Sequence, residues 1–138
     1  MITFVTNSTS LSNSYNLGTI QDVVDYCITK EVLGVDTETE GFDFTCKKMI
    51  MFQIGDADNQ FVIDTRHISI EPLRDVLESL TITKIFHNAK FDYKFIKKWA
   101  NIDCEGIYDT FLTERVISCG RHIGYGLKDL CKRYLNVE

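Results

Sequence analysis

Short apolar runs dominate the first half of the chain, and apolar residues at helical spacing recur along the second half. Four runs in the first half predict strands over residues 2–6, 32–38, 49–55 and 60–64. A helix over residues 19–30 is predicted between the first two strands, because Ile20, Val23, Val24 and Cys27 fall on one side of it. The polar residues 7–16 predict a loop, and residues 56–59 predict a hairpin turn.

The second half alternates predicted helices and strands. Leu73, Val76, Leu77 and Leu80 repeat at helical spacing, and Pro72 fits the first turn of that helix. The predicted elements are a helix over residues 71–80, a strand over 83–87, a helix over 89–100, a helix from an N-cap at Asp109 to about residue 119, and a last helix after Gly124 with Leu127, Leu130, Cys131, Tyr134 and Leu135 on one face. This order predicts a mixed sheet flanked by helices.

Composition indicates one soluble globular domain spanning residues 1–138. Hydrophobic residues are 44% and charged residues 25% of the chain, which is ordinary for that class of protein. No run reaches the roughly 20 apolar residues of a membrane span, and the N-terminus lacks the features of a signal peptide. The five cysteines are odd in number and include no C-x-x-C pair, which disfavours zinc and favours a reduced, cytoplasmic setting.

The net charge of −5 argues against nucleic-acid binding by bulk electrostatic attraction. It is compatible with an enzyme that holds a nucleic-acid end through metal ions, since acidic residues would cluster at the metals. Basic residues are locally dense at Lys90, Lys94, Lys97 and Lys98. These lysines surround the exposed face of the helix predicted over residues 89–100, and a solvated helix face accounts for most of them.

A pair of carboxylates marks the end of the strand predicted over residues 32–38. Asp36 and Glu38 are two positions apart, so a strand projects both side chains from one face. Like charges repel unless a cation compensates them, and hard divalent ions prefer oxygen ligands. Many solvated strand ends carry the same pattern, so the pair alone leaves a metal site and a solvated strand end open.

A third carboxylate lies on an otherwise apolar helix stripe. Asp92, Phe95, Ile96 and Trp99 follow helical spacing in the helix over residues 89–100. Asp92 is either a first-turn acid favoured by the helix dipole or a site residue directed at the cleft of Asp36 and Glu38. The dipole alone does not explain why the acid is on the core-facing side.

Together, Asp36-x-Glu38, Asn88-x-x-x-Asp92 and residues 125–135 resemble the DEDD 3′–5′ exonucleases. The chain is most similar to the ribonuclease D branch and to the proofreading domain of family A DNA polymerases, from about residue 18 to the end. The resemblance implies a ribonuclease H-like fold and hydrolysis supported by two divalent metal ions, Mg²⁺ or Mn²⁺. It implies that Asp36 bridges the two ions, that Glu38 binds the first, and that Asp92 acts on the second, partly through water.

The resemblance also implies a set of substrate contacts. Thr39 and Phe42 match positions that touch the terminal nucleotide, with Phe42 as an apolar wedge beneath the last base, and Asn88 matches a substrate-contacting residue. Phe42 packing on its own loop and Asn88 capping the helix are the respective alternatives. His87 is interpreted as a strand-end residue rather than a base, because in this family the metal lowers the pKa of the attacking water.

One part of the family pattern departs from this chain. The family needs a further acid in a Tyr-x-x-x-Asp or His-x-x-x-Asp motif, and Tyr125-x-x-x-Asp129 is a literal match. Residues 125–135 match an earlier family helix better, and helical spacing turns Asp129 away from Leu127, so we expect Asp129 to be exposed and remote from Asp36. We therefore interpret the chain as lacking the last family helix, either as the N-terminal portion of a longer exonuclease or polymerase or as a naturally shortened relative.

The resulting hypothesis is a metal-dependent 3′–5′ exonuclease domain of the proofreading type, weakly active or inactive as residues 1–138. The expected partner is a single-stranded nucleic-acid 3′ end, with DNA favoured over RNA although nothing visible reads a 2′-hydroxyl. A polymerase region of the same or a longer chain is a further expected partner, and a membrane is not. Two alternatives remain open: a non-catalytic nucleic-acid-binding or interaction module on the same fold, and a ribonuclease H-type nuclease with Asp109 or Asp129 as its fourth acid.

Overall fold

A seven-stranded mixed sheet organises the part of the chain that the computed structural model describes, which is residues 1–7, 15–121 and 123–137. The strands are β1 (Ile2–Val5), β2 (Asn16–Leu17), β3 (Val32–Thr39), β4 (Met49–Gly55), β5 (Gln60–Asp64), β6 (Thr83–Phe86) and β7 (Ile107–Asp109). Their order across the sheet is β2-β1-β5-β4-β3-β6-β7. Strand β4 runs antiparallel to β3 and β5, and the other neighbours are parallel.

The helices follow the strands along the chain. They are α1 (Ile20–Cys27), α2 (Arg74–Leu77), α3 (Ala89–Ala100), α4 (Thr110–Ile117) and α5 (Leu127–Leu130). A 3₁₀ turn over Glu71–Leu73 leads into α2, and a π-helical turn over Cys131–Leu135 continues α5. No helix within the described ranges is long and apolar enough to cross a membrane.

The two faces of the sheet differ in what covers them. Leu33, Val35 and Thr37 of β3 are buried on one face, where Phe52 and Ile54 of β4 join the core with residues of α1, α2 and α3. Asp36 and Glu38 alternate with these residues and project from the opposite face. Because successive side chains on a strand point in opposite directions, the packing of the core face presents both carboxylates on the other.

Most predicted elements are confirmed, and the differences have local causes. The predicted helix over residues 71–80 is shorter, because a 3₁₀ turn precedes α2 and the chain leaves the helix after Leu77, which leaves Leu80 78% exposed. Strands β2 and β7 are too short to show a hydrophobic period. Most of the predicted loop over residues 7–16 lies outside the described residues. The mixed sheet flanked by helices agrees with the prediction.

Most of the predicted apolar face of the last helix is exposed, and only Leu130 and Cys131 are partly buried. The α-helical part ends at Leu130 and continues as the π-helical turn, and Leu127, Tyr134 and Leu135 are exposed. Polar contacts hold this segment instead: the buried Glu114 of α4, 4% exposed, pairs with Arg133 at 2.6 Å and accepts the Tyr134 hydroxyl at 2.7 Å.

Candidate active site

The end of strand β3 presents two of the three predicted site acids. Asp36 and Glu38 share one face, as the alternation predicts, and both are exposed to solvent. Asp36 lines a cavity of about 760 Å³ on the open face of the sheet, together with Gln53, His87 and Thr110. Leu127 of α5 also lines this cavity, so the C-terminal helices stand beside the same face.

The third acid, Asp92, is buried in the first turn of α3 and is only 3% exposed. Its Oδ1 accepts a hydrogen bond of 2.6 Å from the Thr37 hydroxyl. Thr37 lies between Asp36 and Glu38 but faces the core, so one strand presents two acids outward and a donor to Asp92 inward. This bond ties the start of α3 to the end of β3 and confirms that Asp92 is on the core-facing side of its helix.

Burial is the main influence on the pKa values of Asp36 and Asp92. Desolvation raises the pKa of Asp92 to about 6, the Thr37 hydroxyl opposes this rise, and the negative charge of Asp36 adds to it. Desolvation also raises the pKa of Asp36, although solvent reaches part of its side chain, while the Thr37 backbone and His87 oppose that rise. The charge of Asp36 therefore disfavours ionisation of Asp92, although Asp36 projects from the face of β3 opposite to Thr37.

The donor chemistry fits a hard divalent cation, which would offset both the desolvation and the repulsion of these carboxylates. Asp36 and Asp92 are the residues that would hold it, with Glu38 on the same strand face as Asp36. Among the residues that the structure describes, however, no three His, Cys, Asp or Glu side chains converge closely enough to hold one ion. The assignment of Asp36, Glu38 and Asp92 as metal ligands stays a prediction.

Asp109 links the two helices that flank the site. Its Oδ1 accepts hydrogen bonds from the backbone N–H groups of Phe111 (2.9 Å) and Leu112 (3.3 Å), which confirms the predicted N-cap of α4. The same carboxylate accepts from the N–H groups of Asn88 (3.0 Å) and Ala89 (2.9 Å), so it also caps α3. Four backbone donors thus occupy Asp109, which leaves it a capping residue rather than a fourth acid of a metal site.

Asn88 does not cap its own helix. It precedes α3 in the left-handed conformation, with φ 68° and ψ 52°, and its side chain makes no capping hydrogen bond. Asparagine tolerates this conformation better than most residues. Since Asp109 supplies the cap, the Asn88 amide borders a groove beside α3, where the predicted contact with substrate stays a prediction.

The loop over residues 40–48 forms the other wall of that groove. Phe42 is 91% exposed and meets Phe91 of α3 edge to face, with ring centroids 6.1 Å apart. The Thr39 hydroxyl donates to the Gly41 carbonyl at 2.8 Å, so it supports the loop. The alternative that Phe42 only packs on its own loop does not describe this exposed ring. Phe42 borders the groove from its loop side, whereas Thr39 ends β3 and does not line the groove. The roles of Thr39 and Phe42 at a terminal nucleotide stay predictions.

His87 and Asp129 are held by local contacts. His87 follows β6 as predicted, and its Nδ1 is 2.9 Å from the Thr110 hydroxyl. Asp129 is exposed, as expected, and accepts a hydrogen bond of 3.1 Å from the Gly126 N–H. The Tyr125-x-x-x-Asp129 match therefore provides a capping contact in α5.

Three features of the site are absent from the sequence-based prediction. Thr37 belongs to no motif, although strand alternation alone places it opposite the two acids. The second capping role of Asp109 depends on the parallel register of β6 and β7, which aligns Phe86 with Asp109. The groove brings Lys90 and Lys94 together with Phe42, and in the sequence these lysines stand out only by their local density.

Comparisons with known proteins agree with this geometry. A family model described as 3′–5′ exonuclease matches residues 12–138. DNA polymerase I of Aquifex aeolicus is 35% identical over 91 residues, which are 65% of this chain and 14% of that protein. The catalytic core of RRP6 from Trypanosoma brucei has a TM-score of 0.80 at 20% identity, covering 100% of this chain and 35% of that one.

A structure of Brucella melitensis NrnC with bound Mg²⁺ is also similar, with a TM-score of 0.73 at 22% identity over 99% of this chain and 63% of that one. These structural likenesses confirm the predicted ribonuclease H-like fold. The chain spans only about one seventh of the Aquifex polymerase and less than two thirds of NrnC.

Proposed function

This chain belongs to the 3′–5′ exonuclease family, and we propose that it removes nucleotides from the 3′ ends of single-stranded nucleic acid with divalent metal ions. The observation that carries the proposal is the buried carboxylate of Asp92, held by Thr37 beside Asp36. A buried acid without a permanent cationic partner costs stability, and acids in such settings are frequent at functional sites. A polymerase proofreading role, with DNA as substrate, is the finer form of this proposal.

Different residues of the chain would bind the metal ions, orient a ligand and bind the nucleotide. Asp36, Glu38 and Asp92 would hold the ions, which when bound would activate water and neutralise charge on the scissile phosphate. Thr37 fixes the orientation of Asp92 through its hydrogen bond. Phe42 and Asn88 would bind the terminal nucleotide from opposite walls of the groove.

An end-labelled oligonucleotide assay tests the activity. We expect residues 1–138 to shorten a 5′-labelled single strand from its 3′ end slowly in Mg²⁺ or Mn²⁺. No three potential metal ligands converge among the described residues, and metal catalysis is sensitive to ligand geometry. Asp36→Ala should abolish shortening, and Asp129→Asn is the matched control, since this exposed acid should leave the rate unchanged. Shortening by Asp36→Ala at the wild-type rate would contradict the assignment.

Calorimetric titration with Mn²⁺ tests metal binding separately. It should show a larger loss of affinity in Asp36→Ala than in Asp92→Ala, because Asp36 is expected to bridge two ions and Asp92 to act partly through water.

A non-catalytic nucleic-acid-binding module is the second candidate. The observation that favours it is the lack of convergence of three potential metal ligands within the described residues. Oligonucleotide binding without shortening, in either metal and at any enzyme concentration, would establish this reading instead.

A further inference from the structure

The groove beside α3 combines aromatic and basic side chains. It has a volume of about 410 Å³ and lies between α3 and the loop over residues 40–48. Its lining residues include Phe42 and Asn88, two of the three residues predicted to contact the substrate, and also Lys90 and Lys94. Grooves that bind single-stranded nucleic acid combine basic side chains with aromatic rings on which bases stack.

Lys90, Lys94 and Lys98 form a row along α3, and the helix dipole favours only Lys98, which lies in the last turn. They are spaced four residues apart, are all exposed, and form no ion pair with any described residue. Lys97 on the same helix differs, because it pairs with Asp103 at 2.8 Å. Like charges at a spacing of four residues destabilise a helix, so an anion from outside the protein is the partner that suits this row.

The two walls of the groove carry opposite charges. Lys94 lies over the Phe44 ring, with its Nζ 5.2 Å from the ring centroid, so the ring orders the lysine without neutralising it. Asp43 is on the loop wall, where Thr45 donates two hydrogen bonds to its carboxylate and holds the pKa of Asp43 below its usual range. A polyanion in the groove therefore meets attraction at α3 and repulsion at Asp43, whose charge Lys47 of the same loop offsets in part.

We propose that Lys90 and Lys94 bind backbone phosphates of a single strand whose 3′ end reaches Asp36 and Asp92. The strand then runs along α3, with its phosphates on the helix side and its bases toward the exposed ring of Phe42. The inference rests on the proposed function, which it extends by giving the substrate a path through the protein. Lys98 lies one turn further along α3 and does not line the groove.

Salt-dependent binding tests this path without requiring catalysis. Fluorescence anisotropy in EDTA would measure the affinity of a short thymidine oligonucleotide and of its uridine RNA counterpart over a range of salt concentrations. Each of Lys90→Gln and Lys94→Gln should reduce the slope of log affinity against log salt by about 0.7, the value for one phosphate contact on a single strand. Equal effects on both oligonucleotides assign the contact to phosphate rather than to the sugar.

Lys98→Gln is the matched control, because it removes an unpaired exposed lysine from the same helix outside the groove. A slope change in Lys98→Gln equal to those of the groove variants would overturn the proposal. It would indicate that the oligonucleotide responds to the overall positive charge of α3 rather than to contacts in the groove. If the wild type shortens 3′ ends but Lys90→Gln and Lys94→Gln keep its salt slope, the path is wrong and the proposed function survives. If the wild type neither binds nor shortens oligonucleotides, both are overturned.

Discussion

Replacing Asp109 with serine would separate its two capping roles. Serine is among the best N-cap residues and should still accept hydrogen bonds from the first turn of α4. Its shorter side chain has one oxygen, so it should lose the bonds from the N–H groups of Asn88 and Ala89 at the start of α3. Asp109→Ala would lose all four.

The hydrogen bonds allow the cost of each variant to be worked out. Loss of an N-cap costs about 1 kcal/mol. Hydrogen bonds to a charged group contribute roughly 1.5–3 kcal/mol each when water cannot replace them. The Asn88 bond is exposed and the Ala89 bond only partly buried, so together they should contribute about 1–2 kcal/mol. We therefore expect losses of about 1–2 kcal/mol for Asp109→Ser and about 2–3 kcal/mol for Asp109→Ala.

Urea unfolding would give the free energies, and amide hydrogen exchange would locate the loss. In Asp109→Ser, the Ala89 amide should exchange faster while the Phe111 amide keeps its protection. Thr19→Ala is the matched control, because Thr19 caps α1 by the same kind of bond and its loss should cost about 1 kcal/mol without affecting α3. Unchanged exchange at Ala89 in Asp109→Ser would refute the reasoning, as would equal losses of protection at Ala89 and Phe111.

Two further predictions concern buried charges. The pKa of Asp92 is about 6 in the folded protein and ordinarily 3.8, so the folded state binds more protons than the unfolded state between these two pH values. Metal-free protein should therefore lose up to about 3 kcal/mol of stability as the pH rises from 3.8 to about 6. Urea unfolding in EDTA should show this loss as the difference in pH dependence between the wild type and Asp92→Asn, because acids with a lowered pKa, such as Asp64 and Asp103, act in the opposite direction in both proteins. Lys84 is fully buried and donates to the carbonyls of Val76, Ser79 and Ile82. Lys84→Met should therefore lower the free energy of unfolding by about 3 kcal/mol while oligonucleotide affinity at the same salt stays unchanged, and an unchanged unfolding midpoint would contradict this account.

The parts of the fold that follow a hydrophobic period were predictable from the sequence. Strands β4 and β5 and helix α3 have the predicted bounds, because each contains enough residues for its period to emerge. Strands β2 and β7 have two and three residues, and their pairing rather than their sequence defines them. The end of α2 was also missed, because Leu80 continues the apolar spacing although the chain has already turned away.

In the candidate site too, local sequence patterns predict some features, and others depend on contacts between distant residues. Asp36 and Glu38 share a face because alternation within one strand requires it, and Asp92 is buried because helical spacing places it among apolar residues. The contact of Asp92 with Thr37 joins residues 55 positions apart, so no local pattern contains it. The cap that Asp109 places on α3 likewise depends on β6 and β7 ending at the same edge of the sheet.

Local preferences are broken where the proposed site lies. Asp92 places a carboxylate on the core side of α3, Asn88 begins that helix in a left-handed conformation, and Phe42 exposes nearly a whole aromatic ring. Each departure costs stability, and each has a compensating partner only in part: Thr37 for Asp92, Asp109 for the backbone at Asn88, and Phe91 for Phe42. Proteins tend to break such rules at functional sites and to offset the cost elsewhere in the structure. A divalent cation at Asp92 and a nucleotide base at Phe42 would supply what these side chains lack, so the cost of folding this region is an argument for the proposed function that does not depend on any relative.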